Sequence, residues 1–235
     1  MKYQAILFDL DGTLMPMSNQ TFIDMYIPSL ANYLAEYVEP KTLIKAMWDA
    51  LEIMLQDQSD RINEAIFFEE FGKRIGDQTL RKLEPMFEEY YRTEFSILKK
   101  GMDDNENMIE AISLLKEKGY RLIIATNPMF PKVAVSKRIE YSGLNEDDFE
   151  FVSNYSIHTA CKPSVKYYEE VLSKNNLRAN RCLMVGNDVI EDMVVKKLGM
   201  DAWLLTDYIE HPEAENVADW TGSREEFLNR LQEVL

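Results

Sequence analysis

Cysteine, positive charge and long apolar runs are all scarce in this 235-residue chain. The two cysteines, Cys161 and Cys182, lack the spacing of a metal-ligand pair, so a disulfide framework is excluded and two free thiols in a reducing compartment are expected. No apolar stretch approaches the ~20 residues that span a bilayer. The N-terminal apolar run is short and soon interrupted by acids, unlike a secretory signal. A cytoplasmic chain with no membrane partner is the expectation. Lys and Arg number 26 against 41 Asp and Glu, a net charge of −15, which disfavours a nucleic acid polymer as partner. A small anion is still admissible, because a metal ion and one or two lysines can reverse the field within a pocket. No internal repeat or low-complexity segment is evident. The length allows a single α/β domain or a core carrying an insertion.

From Gln20 to Phe95 apolar residues recur at three- and four-residue intervals with no convincing strand. The spacing predicts helices near Phe22–Tyr37, Lys41–Asp57, Asn63–Ile75 and Leu80–Phe95. Pro40 suits the start of the second, and Gly76-Asp77 separates the last two. After Gly101 helices and strands alternate. Helices are expected at Asn105–Lys118, Pro131–Tyr141, Ser164–Asn175, Asp188–Leu198 and Ser223–Leu235. Strands are expected at Tyr120–Ala125, Phe149–Val152, Cys182–Val185 and Ala202–Leu205. Such alternation indicates a doubly wound parallel sheet covered on both faces, a Rossmann-like α/β core. The isolated strand Tyr3–Phe8 belongs in that sheet. The core is then discontinuous, residues 1–16 and 97–235, with an all-helical cap inserted at 17–96.

That first strand delivers Asp9-Leu10-Asp11-Gly12-Thr13. Ligands of open α/β sheets bind at the carboxyl ends of strands, and residues i and i+2 of an extended segment point to one side. Asp9 and Asp11 can therefore converge on a small volume, where two carboxylates repel unless a shared proton or a hard cation such as Mg²⁺ intervenes. The plainer alternative is an Asp-rich turn whose side chains bond only nearby backbone.

The run Asp9-x-Asp11-x-Thr13 after a first strand resembles the first motif of the haloacid dehalogenase-like hydrolase superfamily, and the order of later features extends the resemblance over the whole chain. Thr126-Asn127 ends the strand Tyr120–Ala125, is similar to the second motif, and offers a hydroxyl and an amide to a phosphoryl group. Lys162, followed by Pro163 at the expected start of a helix, resembles the third motif. It implies a point charge that neutralises the nucleophile and the bound phosphoryl group. Gly186-Asn187-Asp188 with Asp192 one helical turn on is similar to the acidic fourth motif. Many members carry Gly-Asp at this turn, so Asn187 shifts the register. Asp188 is assigned as the metal ligand, Asp192 as the second acid, direct or outer, and Asn187 as an outer contact.

The resemblance implies a phosphatase acting on a small phosphorylated metabolite. Mg²⁺ would be held by Asp9, the backbone carbonyl of Asp11, Asp188 and Asp192. Asp9 would attack phosphorus to form an aspartyl-phosphate, and Asp11 would protonate the leaving oxygen and then activate water. The haloacid dehalogenases themselves need no acid at the second position, so Asp11 favours phosphoryl transfer. A sugar phosphomutase on the same core and a non-catalytic interaction module are the alternatives. Met15, Met17, Phe22, Tyr26, Trp48, Phe67 and Phe68 are readable either as an apolar mouth or as core. Arg61, Lys73 and Arg74 are readable either as anion ligands or as solvated charges.

Overall fold

The computed structural model describes residues 2–234, so the expected helical position of Leu235 lies outside the described residues. Six strands, β1 (Ala5–Phe8), β2 (Arg121–Ile124), β3 (Phe151–Val152), β4 (Cys182–Gly186), β5 (Asp201–Leu205) and β6 (Trp220–Gly222), form one sheet in the order β3-β2-β1-β4-β5-β6. Every neighbouring pair is parallel. β1 is the four-residue run Ala-Ile-Leu-Phe, buried throughout, as a central parallel strand covered on both faces should be. Its side chains alternate between two cores. Ile6 and Phe8 join Trp203, Phe227 and the apolar faces of the helical segment, whereas Ala5 and Leu7 join Tyr167, Val171 and Met184.

Four helices follow β1 without an intervening strand: α1 (Asn19–Tyr33), α2 (Pro40–Gln56), α3 (Asn63–Ile75) and α4 (Asp77–Arg92). Local chemistry fixes their starts. The Ser18 hydroxyl accepts from the Thr21 N–H at 3.1 Å, and the Glu39 carboxylate from the Thr42 N–H at 2.7 Å with Pro40 next to it. Gly76, at φ +84°, makes the left-handed break between α3 and α4. Pro28 and Pro85 lie inside α1 and α4. A 3₁₀ stretch, Glu94–Gly101, leads into α5 (Glu106–Glu117), α6 (Lys132–Tyr141), α7 (Val165–Lys174) and α8 (Arg224–Val234).

The structure departs from expectation in several places, beyond shifts of a few residues at the limits of α1 and α4. The helix expected over Asp188–Leu198 is a turn, capped by the Asp188 carboxylate through the Ile190 and Glu191 N–H groups at 2.8 Å, which continues as 3₁₀ structure at Met193–Leu198 through bonds such as Val195 N–H to the Asp192 carbonyl. Pro163 stands two residues ahead of α7 rather than in its first turn. β6 was not anticipated, and β3 is only two residues long. Strands this short carry too few alternations for a pattern to register.

Candidate active site

The register of the three central strands builds the site. Phe8 pairs with Ile124 on one side and Val185 on the other, so β2, β1 and β4 end level. The Asp9 N–H continues the ladder to the Val185 carbonyl at 2.9 Å. Asp9 to Thr13, Thr126-Asn127 and Gly186 to Asp188 therefore leave the same edge of the sheet.

Lys162 is the hub. Its ammonium, almost fully buried, donates to Asp9 Oδ1 at 2.7 Å and to Asp192 Oδ1 at 2.6 Å. Burial alone would pull the Lys162 pKa down, but the Asp192 and Asp9 carboxylates overcome it and push it well above its ordinary value, so the ammonium keeps its charge. Asp192 is held on both oxygens, the second accepting the Asp188 N–H at 3.0 Å. A Cβ at position 186 would lie 2.1 Å from Asp192 Oδ2, so the carboxylate reaches the lysine only because Gly186 has no side chain. Tyr168 adds a hydroxyl 3.3 Å from Asp192 Oδ1.

Asp11 faces a different cation. The guanidinium of Arg138, fully buried on α6, donates to Asp11 Oδ2 and lies 4.5 Å from the ring of Phe130. The other oxygen of Asp11 is buried without a hydrogen-bond partner, as is Nη2 of Arg138. Sequence reading passed over Arg138. The available signal was its place on the helix, three and four residues after the buried Val135 and Ala134, which puts an arginine on the apolar face.

Asn127 and Thr126 are buried at the end of β2. Asn127 Nδ2 donates to the Glu191 carboxylate at 3.0 and 3.1 Å, and its Oδ1 accepts the Lys162 N–H at 3.3 Å. The Thr126 carbonyl accepts the Tyr167 hydroxyl at 2.8 Å. Burial, opposed by Lys162 and reinforced by Asp188 and Asp192, pushes Glu191 up to about 7. Asn187 braces the first loop: its Oδ1 accepts from the Thr13 hydroxyl at 2.9 Å and its Nδ2 donates to the Tyr208 carbonyl at 2.6 Å. A Cβ on Gly12 would meet that amide at 2.4 Å. Asp188 sits on the same edge, but its carboxylate is bonded to the turn N–H groups and to His211, 3.0 Å away, rather than to the other site acids. His211 is a second residue that sequence reading missed; it sits in an irregular loop at φ +52°, where no periodicity marks it.

Among the described residues no three His, Cys, Asp or Glu side chains form a cluster able to hold a metal by themselves. Acid nonetheless outweighs base here, with Asp9, Asp11, Asp188, Glu191 and Asp192 around Lys162 and Arg138. Carboxylate and carbonyl oxygens are the donors a hard dication selects.

The segment that delivers Lys162 is anchored on α7. Burial alone would push Glu170 up, but the His158 imidazole, the Thr159 hydroxyl and the Thr159 N–H overcome it and hold the carboxyl at about 2. Burial pulls His158 down, so the neutral ring donates its Nδ1–H to Glu170. Because the folded value lies below the ordinary 4.5, Glu170 contributes stability that is complete above about pH 4.5 and is lost as pH falls toward about 2. Glu170→Gln is expected to lower the melting temperature at neutral pH and to flatten its acid decline. An acid limb as steep as that of the parent chain would assign the decline to other carboxylates.

A cavity of about 730 Å³ opens between the helices after β1 and the end of the sheet, with Asp11, Asn127 and Glu191 in its wall. Phe22, Tyr26, Trp48, Phe67 and Phe68 line it, Phe22, Tyr26 and Phe67 being buried in the core as well, while Met15 and Met17 are core alone. Arg61, Lys73 and Arg74 are held in ion pairs with Glu69, Glu70 and Asp49 on the outer surface of the helices.

Residues 3–194 match the model of the family described as haloacid dehalogenase-like hydrolase. A glyceraldehyde 3-phosphate phosphatase of Methanothermobacter thermautotrophicus is 24% identical over 221 residues, 91% of this chain and 90% of that protein. The fold is similar to a 2-haloacid dehalogenase of Pseudomonas syringae pv. Tomato, with a TM-score of 0.66, 18% identity and coverage of 99% of this chain and 100% of the other. It is also similar to the HAD-hydrolase YfnB of Bacillus subtilis bound to magnesium, with a TM-score of 0.60, 16% identity and full coverage of both chains. With its motifs on one sheet edge and more than half its length matched, the chain belongs to the haloacid dehalogenase-like hydrolases.

Proposed function

We propose that this hydrolase is a Mg²⁺-dependent phosphatase of small phosphate monoesters, with Asp9 as nucleophile, Asp11 as general acid and base, and residues 17–96 acting as a cap over the site. One observation carries the reading. Asp9 is held by a buried ammonium through a single oxygen, while two residues on Asp11 stands in the wall of the adjoining cavity.

The chemistry follows from those positions. An Asp9 oxygen forms a bond to phosphorus as the bond from phosphorus to the alcohol oxygen breaks, and Asp11 gives its proton to that oxygen. Water then attacks the phosphorus of the aspartyl-phosphate, Asp11 takes the water's proton, and phosphate and the free Asp9 carboxylate are regenerated. Lys162 offsets the charge of nucleophile and phosphoryl group, and the Thr126 hydroxyl and Asn127 amide lie at the same edge to orient the phosphoryl oxygens. Arg138 fixes the Asp11 carboxylate through one of its oxygens. Asp9, Asp188 and the backbone carbonyl of Asp11 would hold Mg²⁺, with Asp192 outside the coordination shell as the acid that positions Lys162. The ion supplies charge neutralisation that lets a carboxylate approach a phosphate. The relative named as a glyceraldehyde 3-phosphate phosphatase supports phosphoryl transfer over dehalogenation.

Turnover of para-nitrophenyl phosphate is expected with Mg²⁺ and lost on chelation. Asp11→Asn is expected to bind substrate while releasing no phosphate. Hydrolysis unaffected by chelator, or by Asp11→Asn, would overturn these assignments. No turnover of any ester in a broad panel would favour an interaction module.

A further inference from the structure

We infer that the physiological ester carries a bulky, uncharged, apolar or aromatic alcohol, seated in the cavity between α1–α4 and the sheet edge. The inference rests on the phosphatase reading and names its substrate class.

Size comes first. About 730 Å³ is ample for a drug-sized organic group and far more than a two- or three-carbon alcohol fills. A small polar substrate would leave most of that apolar wall in contact with water, whereas a ring system would remove it from water. The wall is also chemically one-sided. Among the described residues lining it there is no Lys or Arg. Its charged members are Asp11, Glu64, Glu84, Glu88 and Glu191, so a second phosphate or a carboxylate on the alcohol meets only like charge. Arg138, paired with Asp11, lies against the rings of Phe22 and Phe130 and does not line the space.

The polar groups of the wall are largely spent elsewhere. Tyr26 and Tyr91 bond each other through their hydroxyls at 2.8 Å, presenting rings rather than donors, and Glu88 pairs with Arg92. Phe22, Phe68 and Phe130 add further ring surface, and Trp48 stands half exposed in the same lining. Asp11 belongs to this wall as well, so an alcohol seated here has its ester oxygen beside the group assigned to protonate it.

The test compares naphthyl phosphate with phosphoglycolate, an ester that is small and carries a second anion. The parent protein is expected to show kcat/KM at least about tenfold higher for naphthyl phosphate. Ala65 is exposed on α3 and lines the cavity, so Ala65→Arg places a cation there without disturbing the core and is expected to narrow that ratio several-fold. By calorimetry, the Asp9→Asn protein is expected to bind naphthyl phosphate about tenfold more tightly than phosphoglycolate. Equal or reversed preference in both kinetics and binding overturns the inference while leaving the phosphatase reading intact. Preferential binding of naphthyl phosphate with no turnover of it or of any ester in the broad panel supports the cavity assignment and overturns the phosphatase reading.

Discussion

Lys162→Met is expected to cost about 3–5 kcal/mol of folding stability, a large share of the ~5–15 kcal/mol that holds a typical domain together. The ammonium has almost no solvent contact and stands between Asp9 and Asp192, of which Asp192 is equally buried. Removing it leaves two carboxylates facing each other in a dry setting, and methionine fills the volume without supplying charge. Urea unfolding should show the loss as a lower midpoint with an unchanged slope. Adding Asp192→Asn to the variant should restore part of it, because one of the stranded charges disappears. A midpoint equal to that of the parent chain would mean that the two carboxylates are satisfied without the lysine. Turnover is expected to fall as well, since nothing then offsets the charge of Asp9 and phosphate.

Asp9→Asn is expected to reduce kcat by about 10⁴-fold or more, the scale seen when the nucleophile of a covalent mechanism is removed. Folding should survive, because an amide keeps the shape and still accepts from Lys162. The decisive measurement is a rapid-quench search for acid-stable labelled phosphoprotein. Label is expected on the parent enzyme and absent from the variant. A variant that retained turnover within tenfold of the parent would transfer the nucleophile's role to another group or to water.

Much of this architecture was legible before any coordinates. β1 is an unbroken apolar run, and the turn after it carries two carboxylates two residues apart, so both the central strand and the reactive edge could be read from one short segment. The alternation after Gly101 gave the parallel sheet, and α2 and α3 fell within a residue of their expected limits. What escaped notice depends on tertiary contact. Arg138 resembles any helical arginine until Asp11 and Phe130 are placed against it. Glu191 and Asn127 are 64 positions apart and meet only because β2 and β4 flank β1 at the same level. The 3₁₀ stretch at Met193–Leu198 has apolar spacing that a pattern of three- and four-residue intervals does not separate from an α-helix.

Asn63 joins the two layers of the molecule. The first N–H groups of α3, at Asn63 and Glu64, donate to the carbonyls of His158 and Tyr155 at 2.9 and 3.1 Å, and the Asn63 amide reaches the carbonyls of Pro128 and Ala160, each at 3.3 Å. The helix thus finishes its amino end with partners from the segments that bear Asn127 and Lys162. Lifting α3 off the sheet would exchange these bonds for bonds to water, at about 0.5–1.5 kcal/mol apiece. This corner is therefore expected to act as the fulcrum of any gape that admits a substrate.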